Sequence, residues 1–193
     1  MENKNERTGL IHIYCGDGKG KTTAAIGAAI RAAGRGFRVL VLRLLKTNDS
    51  GEVNALQNIP EIHVLPCVRS FGFSWNMTPE QKEKAAVYYS EQMENAWKMA
   101  LETDKNGTPA FDLLVMDEAI GACHQGFICE ERLLELLRTR PASLEVILTG
   151  RGPSEALLNA ADYVTEMTLR RHPYERGIGA RGDRILGTVE RAF

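Results

Sequence analysis

Apolar residues in this chain fall in short dense runs, separated by longer stretches in which they recur every three or four positions. Five runs are rich in β-branched residues or leucine: LIHIYC (10–15), FRVLVLRLL (37–45), EIHVLPC (61–67), FDLLVMD (111–117) and SLEVILTG (143–150). A sixth, DYVTEMTL (162–169), is weaker. Most lack strict alternation, as strands covered on both faces do. Helical patterns fill the gaps. Strands alternating with helices predict an α/β fold with a doubly wound, mainly parallel sheet and helices on both faces. No internal repeat, low-complexity segment or linker divides the chain. Residues 9–169 are therefore expected to form one domain, preceded by a flexible tail at 1–8 and followed by a C-terminal segment at 170–193.

Two helices have readable ends. The first is expected to begin near Lys21, run through the alanine-rich TTAAIGAAIRAA and stop at Gly34. The second opens with Thr78-Pro79-Glu80-Gln81, which supplies an N-cap, a first-turn proline and a capping-box partner. Ala85, Tyr89, Met93, Trp97 and Leu101 then repeat at helical spacing and predict a buried stripe. Asn106-Gly107 is the expected end of that helix.

The 193 residues carry a formal net charge of −1, which gives no support to nucleic-acid binding through a whole-protein field. No apolar run is long enough to span a bilayer, and the opening MENKNERTG lacks the apolar core of a signal peptide. The expectation is a cytoplasmic protein with neither membrane nor nucleic-acid partners. Cys123 and Cys129 flank His124, but zinc sites more often show two close Cys or His pairs. The four cysteines read as idle thiols of a reducing compartment.

The candidate chemistry begins at CGDGKGKTT (15–23). A phosphate-binding loop reads G-x-x-x-x-G-K-[ST], yet Cys15 stands where its first glycine belongs. Otherwise the context fits, with a strand before the loop and a helix opening on Lys-Thr-Thr after it. Gly16, Asp17, Gly18, Lys19, Gly20, Lys21, Thr22 and Thr23 are the expected nucleotide-binding residues. Backbone N–H groups at a helix start attract anions, Lys21 and Lys19 add charge, and the Thr22 hydroxyl is suited to magnesium. A second magnesium ligand is offered by LLVMDE (113–118), an apolar strand ending in Asp117 and Glu118, the pattern of a Walker B segment. Neighbouring strand residues face opposite sides, so one of the two carboxylates is expected to face the phosphates; the spacing does not say which. Arg151, at the end of the fifth run, suits either a phosphate contact or a surface ion pair. Together these features predict a P-loop NTPase, RecA-like architecture binding a nucleoside triphosphate. They leave kinase, hydrolase and other P-loop chemistries open.

The segments GDGKGKTTAA, GFSW, LLVMDE, ILTGRG, ADYVTEM and RRHPYERGI occur in the order found in one family. From about Gly9 to Ala180 the chain resembles the corrinoid adenosyltransferases of the CobA/BtuR type, the ATP:cob(I)alamin adenosyltransferases. The resemblance implies transfer of the 5′-deoxyadenosyl group of ATP to the cobalt of a reduced corrinoid such as cob(I)alamin, with release of triphosphate. It implies ATP as cosubstrate, Mg2+ on the triphosphate, a reduced flavoprotein as transient electron donor, and a homodimer. Within it, Lys21 is a catalytic counter-charge, and Glu118 matches the carboxylate that approaches the metal, with Asp117 the neighbouring candidate. Phe73 and Trp75 match an aromatic pair on the lower corrin face that keeps axial ligands off cob(II) and eases its reduction. Read without the resemblance, that segment is an aromatic loop able to cover a flat ligand or to pack on its own core.

The chain departs from the family pattern in two places. Lys46-Thr47 stands where Lys-Gly is usual, and Ala180-Arg181 runs into the longer ending GDRILGTVERAF. The family's C-terminal segment lies near nucleotide and corrinoid. Here it carries Arg170, Arg171, Arg176, Arg181 and Arg184, diluted by Glu175, Asp183 and Glu190, which reads as a solvated surface. A catalytically weak nucleotide- or corrinoid-binding module is the alternative this altered ending suggests.

Overall fold

A computed structural model of the protein describes residues 8–46, 50–69, 71–72 and 74–171. The tail at 1–7, Thr47, Phe73 and the ending that carries Arg176, Arg181 and Arg184 lie outside the described residues. The six apolar runs form six strands: β1 (Ile11–Cys15), β2 (Val39–Arg43), β3 (Ile62–Val64), β4 (Leu113–Asp117), β5 (Glu145–Thr149) and β6 (Tyr163–Glu166). They pair in the order β3-β2-β4-β5-β1-β6, and every pairing is parallel. Among the described residues, six α-helices accompany them: α1 (Lys21–Ala33), α2 (Gly51–Leu56), α3 (Pro79–Ala100), α4 (Ala119–His124), α5 (Glu130–Thr139) and α6 (Glu155–Ala160).

Strand alternation sorts the core into two layers. Val39, Val41, Leu113, Val115 and Ile147 face α1 and α2, where Ala25, Ile26, Ala29 and Leu56 cover them. Leu40, Leu42, Leu114, Met116 and Leu148 face α3, α4, α5 and α6. Because both faces need apolar cover, β2 and β4 are buried at every position, which explains the missing alternation in their sequences.

The connections also locate the crevice. The chain leaves β1 over the α1 face and leaves the adjacent β5 over the opposite face through α6. Ligands of open parallel sheets bind outside the carboxyl ends of the strands at such a switch point. The shared direction of the strands brings Gly16, Lys46, Asp117 and Arg151 to this one edge.

The capping box of α3 forms as its sequence predicts. Gln81 N donates to Thr78 Oγ1 at 3.2 Å, and Thr78 N donates to Gln81 Oε1 at 2.8 Å. Ala85, Tyr89, Met93 and Trp97 are buried. The far end differs from expectation. The helix stops at Ala100, and Leu101 lies beyond it and is exposed. Asp104 Oδ1 accepts the backbone N–H groups of Asn106 and Thr108, so Asn106-Gly107 belongs to a separate turn. A short acidic side chain offering such local acceptors competes with the helix ladder. At the opposite sheet edge β6 is exposed along its length, which accounts for its weak apolar signal.

Candidate active site

β1 pairs with β6 through Cys15, opposite Glu166, and the Cys15 side chain is buried in the core. The residue that replaces the loop's usual first glycine is thus the last residue of the strand. The turn proper is Gly16–Gly20. Gly16 and Gly20 have φ of +94° and +113°, and Gly20 is the N-cap of α1. Gly18 is required by a close approach: a Cβ there would stand 2.6 Å from the Met167 carbonyl oxygen. The Gly18 N–H donates to that oxygen at 2.6 Å, tying the loop to the end of β6.

Lys21 folds back under the loop. Its Nζ donates to the carbonyls of Gly16 at 2.7 Å and Gly18 at 2.8 Å, and the side chain is buried. Burial lowers its pKa, as does the neighbouring charge of Arg151, while Glu118 and Asp17 pull it back up. Asp17, Lys19 and Thr23 are exposed around the loop.

The acids at the end of β4 occupy different environments. Asp117 is 0 % exposed. It lies on the α1 side of the sheet and accepts from three groups: Thr22 Oγ1 at 2.9 Å, Thr149 Oγ1 at 2.6 Å and Lys46 Nζ at 2.5 Å. Lys46 Nζ also donates to Thr22 Oγ1 at 2.8 Å. Glu118 follows with φ +62° and is the N-cap of α4. Its N–H donates to Thr149 Oγ1 at 2.9 Å, so one threonine hydroxyl links both acidic residues. Burial raises the Glu118 pKa, the Asp117 charge adds to the rise, and Lys46, Lys21 and Arg151 oppose it. Arg151 is half-buried and acts on both Lys21 and Glu118. Gly150 lets β5 run against the start of α4, since a Cβ there would meet Gly121 N at 2.4 Å.

Gly16–Thr23, Asp117, Glu118 and Arg151 therefore gather at one sheet edge. Trp75 lies in a short 3-10 turn, Ser74–Asn76, and is 58 % exposed. Phe71 in the same segment packs on Tyr88 and Tyr89, with ring centroids 5.7 Å apart in both cases. The segment is thus anchored on the core by Phe71 and leaves Trp75 outward.

The structure adds Lys46 and Thr149 to the site. A cation shortly after one strand and a hydroxyl at the end of another are weak signals alone. They acquire meaning once β2 and β5 are known to flank β4.

The oxygen donors Thr22, Asp117 and Glu118 fit a hard divalent cation such as Mg2+. The Lys46 ammonium resting against Thr22 and Asp117 shows that this point accommodates positive charge.

Comparison with known proteins agrees with this architecture. The sequence matches the family "ATP:corrinoid adenosyltransferase BtuR/CobO/CobP" over residues 7–182. It is 35 % identical over 179 residues to the corrinoid adenosyltransferase of Pseudomonas aeruginosa, covering 92 % of this chain and 83 % of that protein. The corrinoid adenosyltransferase of Escherichia coli K12 is 32 % identical over 178 residues, covering 91 % and 85 %. Corrinoid adenosyltransferase CobA of Salmonella typhimurium is 33 % identical over the same length and coverage. A match spanning the phosphate loop, the acidic strand and β6 establishes that the chain belongs to the ATP:corrinoid adenosyltransferase family BtuR/CobO/CobP.

Proposed function

We propose that this protein transfers the 5′-deoxyadenosyl group of ATP to the cobalt of a reduced corrinoid, cob(I)alamin or a relative, in adenosylcobalamin biosynthesis or salvage. The observation that carries the reading is the joining of the P-loop to the acidic strand through Thr22 and Asp117, in a chain of this family.

The cob(I) electron pair attacks the ribose C5′ of ATP. A Co–C bond forms, the C5′–O bond breaks, and its electron pair leaves on the triphosphate. No proton moves, so neither Asp117 nor Glu118 serves as a base. What the protein must supply is positive charge for the departing triphosphate. Lys21, Lys19, the loop amides and Arg151 supply it. To meet a phosphate, Lys21 exchanges its bonds to the Gly16 and Gly18 carbonyls for bonds to phosphate oxygens. Thr22, Asp117 and Glu118 would hold Mg2+, whose contribution is to neutralise charge on the triphosphate. Asp117 also fixes the Thr22 hydroxyl, while the charges of Lys46, Lys21 and Arg151 favour the ionised form of Glu118. Phe73 and Trp75 cover the lower face of the corrin and disfavour axial ligation of cob(II). That role suits the Trp75 side chain, more than half of which is exposed. A reduced flavoprotein delivers the electron, and the protein works in the cytoplasm as a homodimer.

The test is an anaerobic reaction of protein, ATP, Mg2+ and chemically reduced cob(I)alamin. The expected products are light-sensitive adenosylcobalamin and an equal amount of triphosphate. ADP and phosphate would instead indicate an ordinary P-loop kinase or hydrolase. Corrinoid binding without turnover would indicate a binding module.

A further inference from the structure

The Thr22 hydroxyl has one proton and two lone pairs. It donates the proton to Asp117, and Lys46 Nζ donates into its oxygen at 2.8 Å while also reaching Asp117 Oδ2 at 2.5 Å. These are oxygens that a divalent cation at the loop needs. We propose that Lys46 is a tethered competitor for the metal position: its ammonium closes the Thr22–Asp117 site to free divalent cations and yields it when metal arrives together with the triphosphate.

The inference rests on the reading of Thr22 and the β4 acids as the metal-holding residues and adds a regulating residue to that site. Mg2+ takes its oxygens at about 2.0–2.1 Å. An ammonium on the same two oxygens would then lie within a few ångströms of a doubly charged ion, in a site walled by Asp117 and half-buried Glu118. Repulsion between charges at that range is strong wherever water is largely excluded. A metal–triphosphate complex brings its own negative charge, so the displaced ammonium finds phosphate oxygens in exchange for a carboxylate. Lys46 is well placed to move. It follows the end of β2, and its side chain remains 23 % exposed, whereas Asp117 is fully enclosed. Cys67 holds the backbone beneath it, with Sγ donating to the Lys46 carbonyl at 2.6 Å, so the side chain can swing on a fixed main chain. The arrangement would keep the empty site from taking up stray divalent ions and make metal binding depend on nucleotide.

The test uses the whole protein and Mn2+ alone, with free Mn2+ followed by electron paramagnetic resonance and no nucleotide present. Lys46→Met removes the charge and keeps much of the stem. It is expected to bind Mn2+ at least about tenfold more tightly than wild type, from the loss of one nearby positive charge. Adding Thr22→Val to that variant should abolish the gain. Equal affinities in wild type and Lys46→Met, weaker binding in the variant, or a gain that survives Thr22→Val would overturn the proposal. Circular dichroism confirms folding. If Lys46→Met does not fold, Lys46→Gln, which keeps a hydrogen-bond donor toward Asp117, carries the same comparison with the same outcomes. A separate arm with Mn2+ and ATP reports on the functional reading. Failure of wild type to take up Mn2+ with ATP would remove that reading, while the nucleotide-free affinities still decide what Lys46 does.

Discussion

The two halves of the proposed site are built differently. At the nucleotide end, short hydrogen bonds tie Lys21 to the loop and join Thr22, Thr149 and Lys46 to Asp117 at the end of β4. At the aromatic end, Trp75 stands mostly in solvent on a turn pinned to the core by Phe71. The sheet thus preorganises the acidic side of the proposed triphosphate site, as electrostatic stabilisation of a leaving group requires. Substitutions at the first end should damage chemistry and stability together, and substitutions at the second should act on the corrinoid with little cost to the fold.

The largest effect is expected for Lys21→Ala. Removing this charge should slow adenosylation from pre-reduced cob(I)alamin by about 100-fold or more. Turnover within a few-fold of wild type, measured at saturating ATP, would show that the loop does not stabilise the leaving triphosphate.

Next comes Asp117→Ala, which strips the acceptor from Thr22, Thr149 and Lys46. Breaking a buried charged pair costs about 3–5 kcal/mol. Because Lys46 keeps some exposure, the loss in urea unfolding should fall near the low end of that range. A loss below about 1 kcal/mol, the scale of surface pairs, would place Asp117 outside the structural network.

Trp75→Ala sharpens the contrast from the other side. Its exposure predicts a stability change within about ±0.5 kcal/mol, with turnover from cob(II) falling more than turnover from cob(I). Equal losses from the two oxidation states would contradict a redox role for this side chain.

The smallest effect is a pH dependence. Folding raises the Glu118 pKa above its ordinary 4.5, so the folded state holds a proton that the unfolded state has already lost. Stability therefore falls as pH rises through the window above 4.5, and the penalty persists at neutral pH. Without metal or nucleotide, Glu118→Gln should be more stable than wild type at pH 7.5. That advantage should shrink toward zero below about pH 4, where both states are protonated. An advantage independent of pH would mean that the side chain is not held against its charge.

The comparison also marks what a sequence reveals. The central strands β2 and β4 were legible because runs such as FDLLVMD must satisfy apolar cover on both faces. The capping box at Thr78 was legible because it is local. Lys46 was not, since its partners Thr22 and Asp117 are 24 and 71 residues away in the chain and meet it only through the pairing of β2 with β4. Thr149 was hidden for the same reason, its bond to Asp117 spanning 32 residues. The end of α3 is hard to read from sequence because Asn106-Gly107 is a strong turn signal, while the helix already stops at Ala100 and the local bonds of Asp104 form the turn beyond it. Cys15 shows the opposite case. What looked like a defect in the loop motif is one more residue of core-facing strand.

The most direct test of the account is product identity in the anaerobic reaction of ATP, Mg2+ and cob(I)alamin. The prediction is adenosylcobalamin and inorganic triphosphate in equal amounts, both lost in Lys21→Ala. Formation of ADP and phosphate, or ATP left intact beside persistent cob(I), would contradict it.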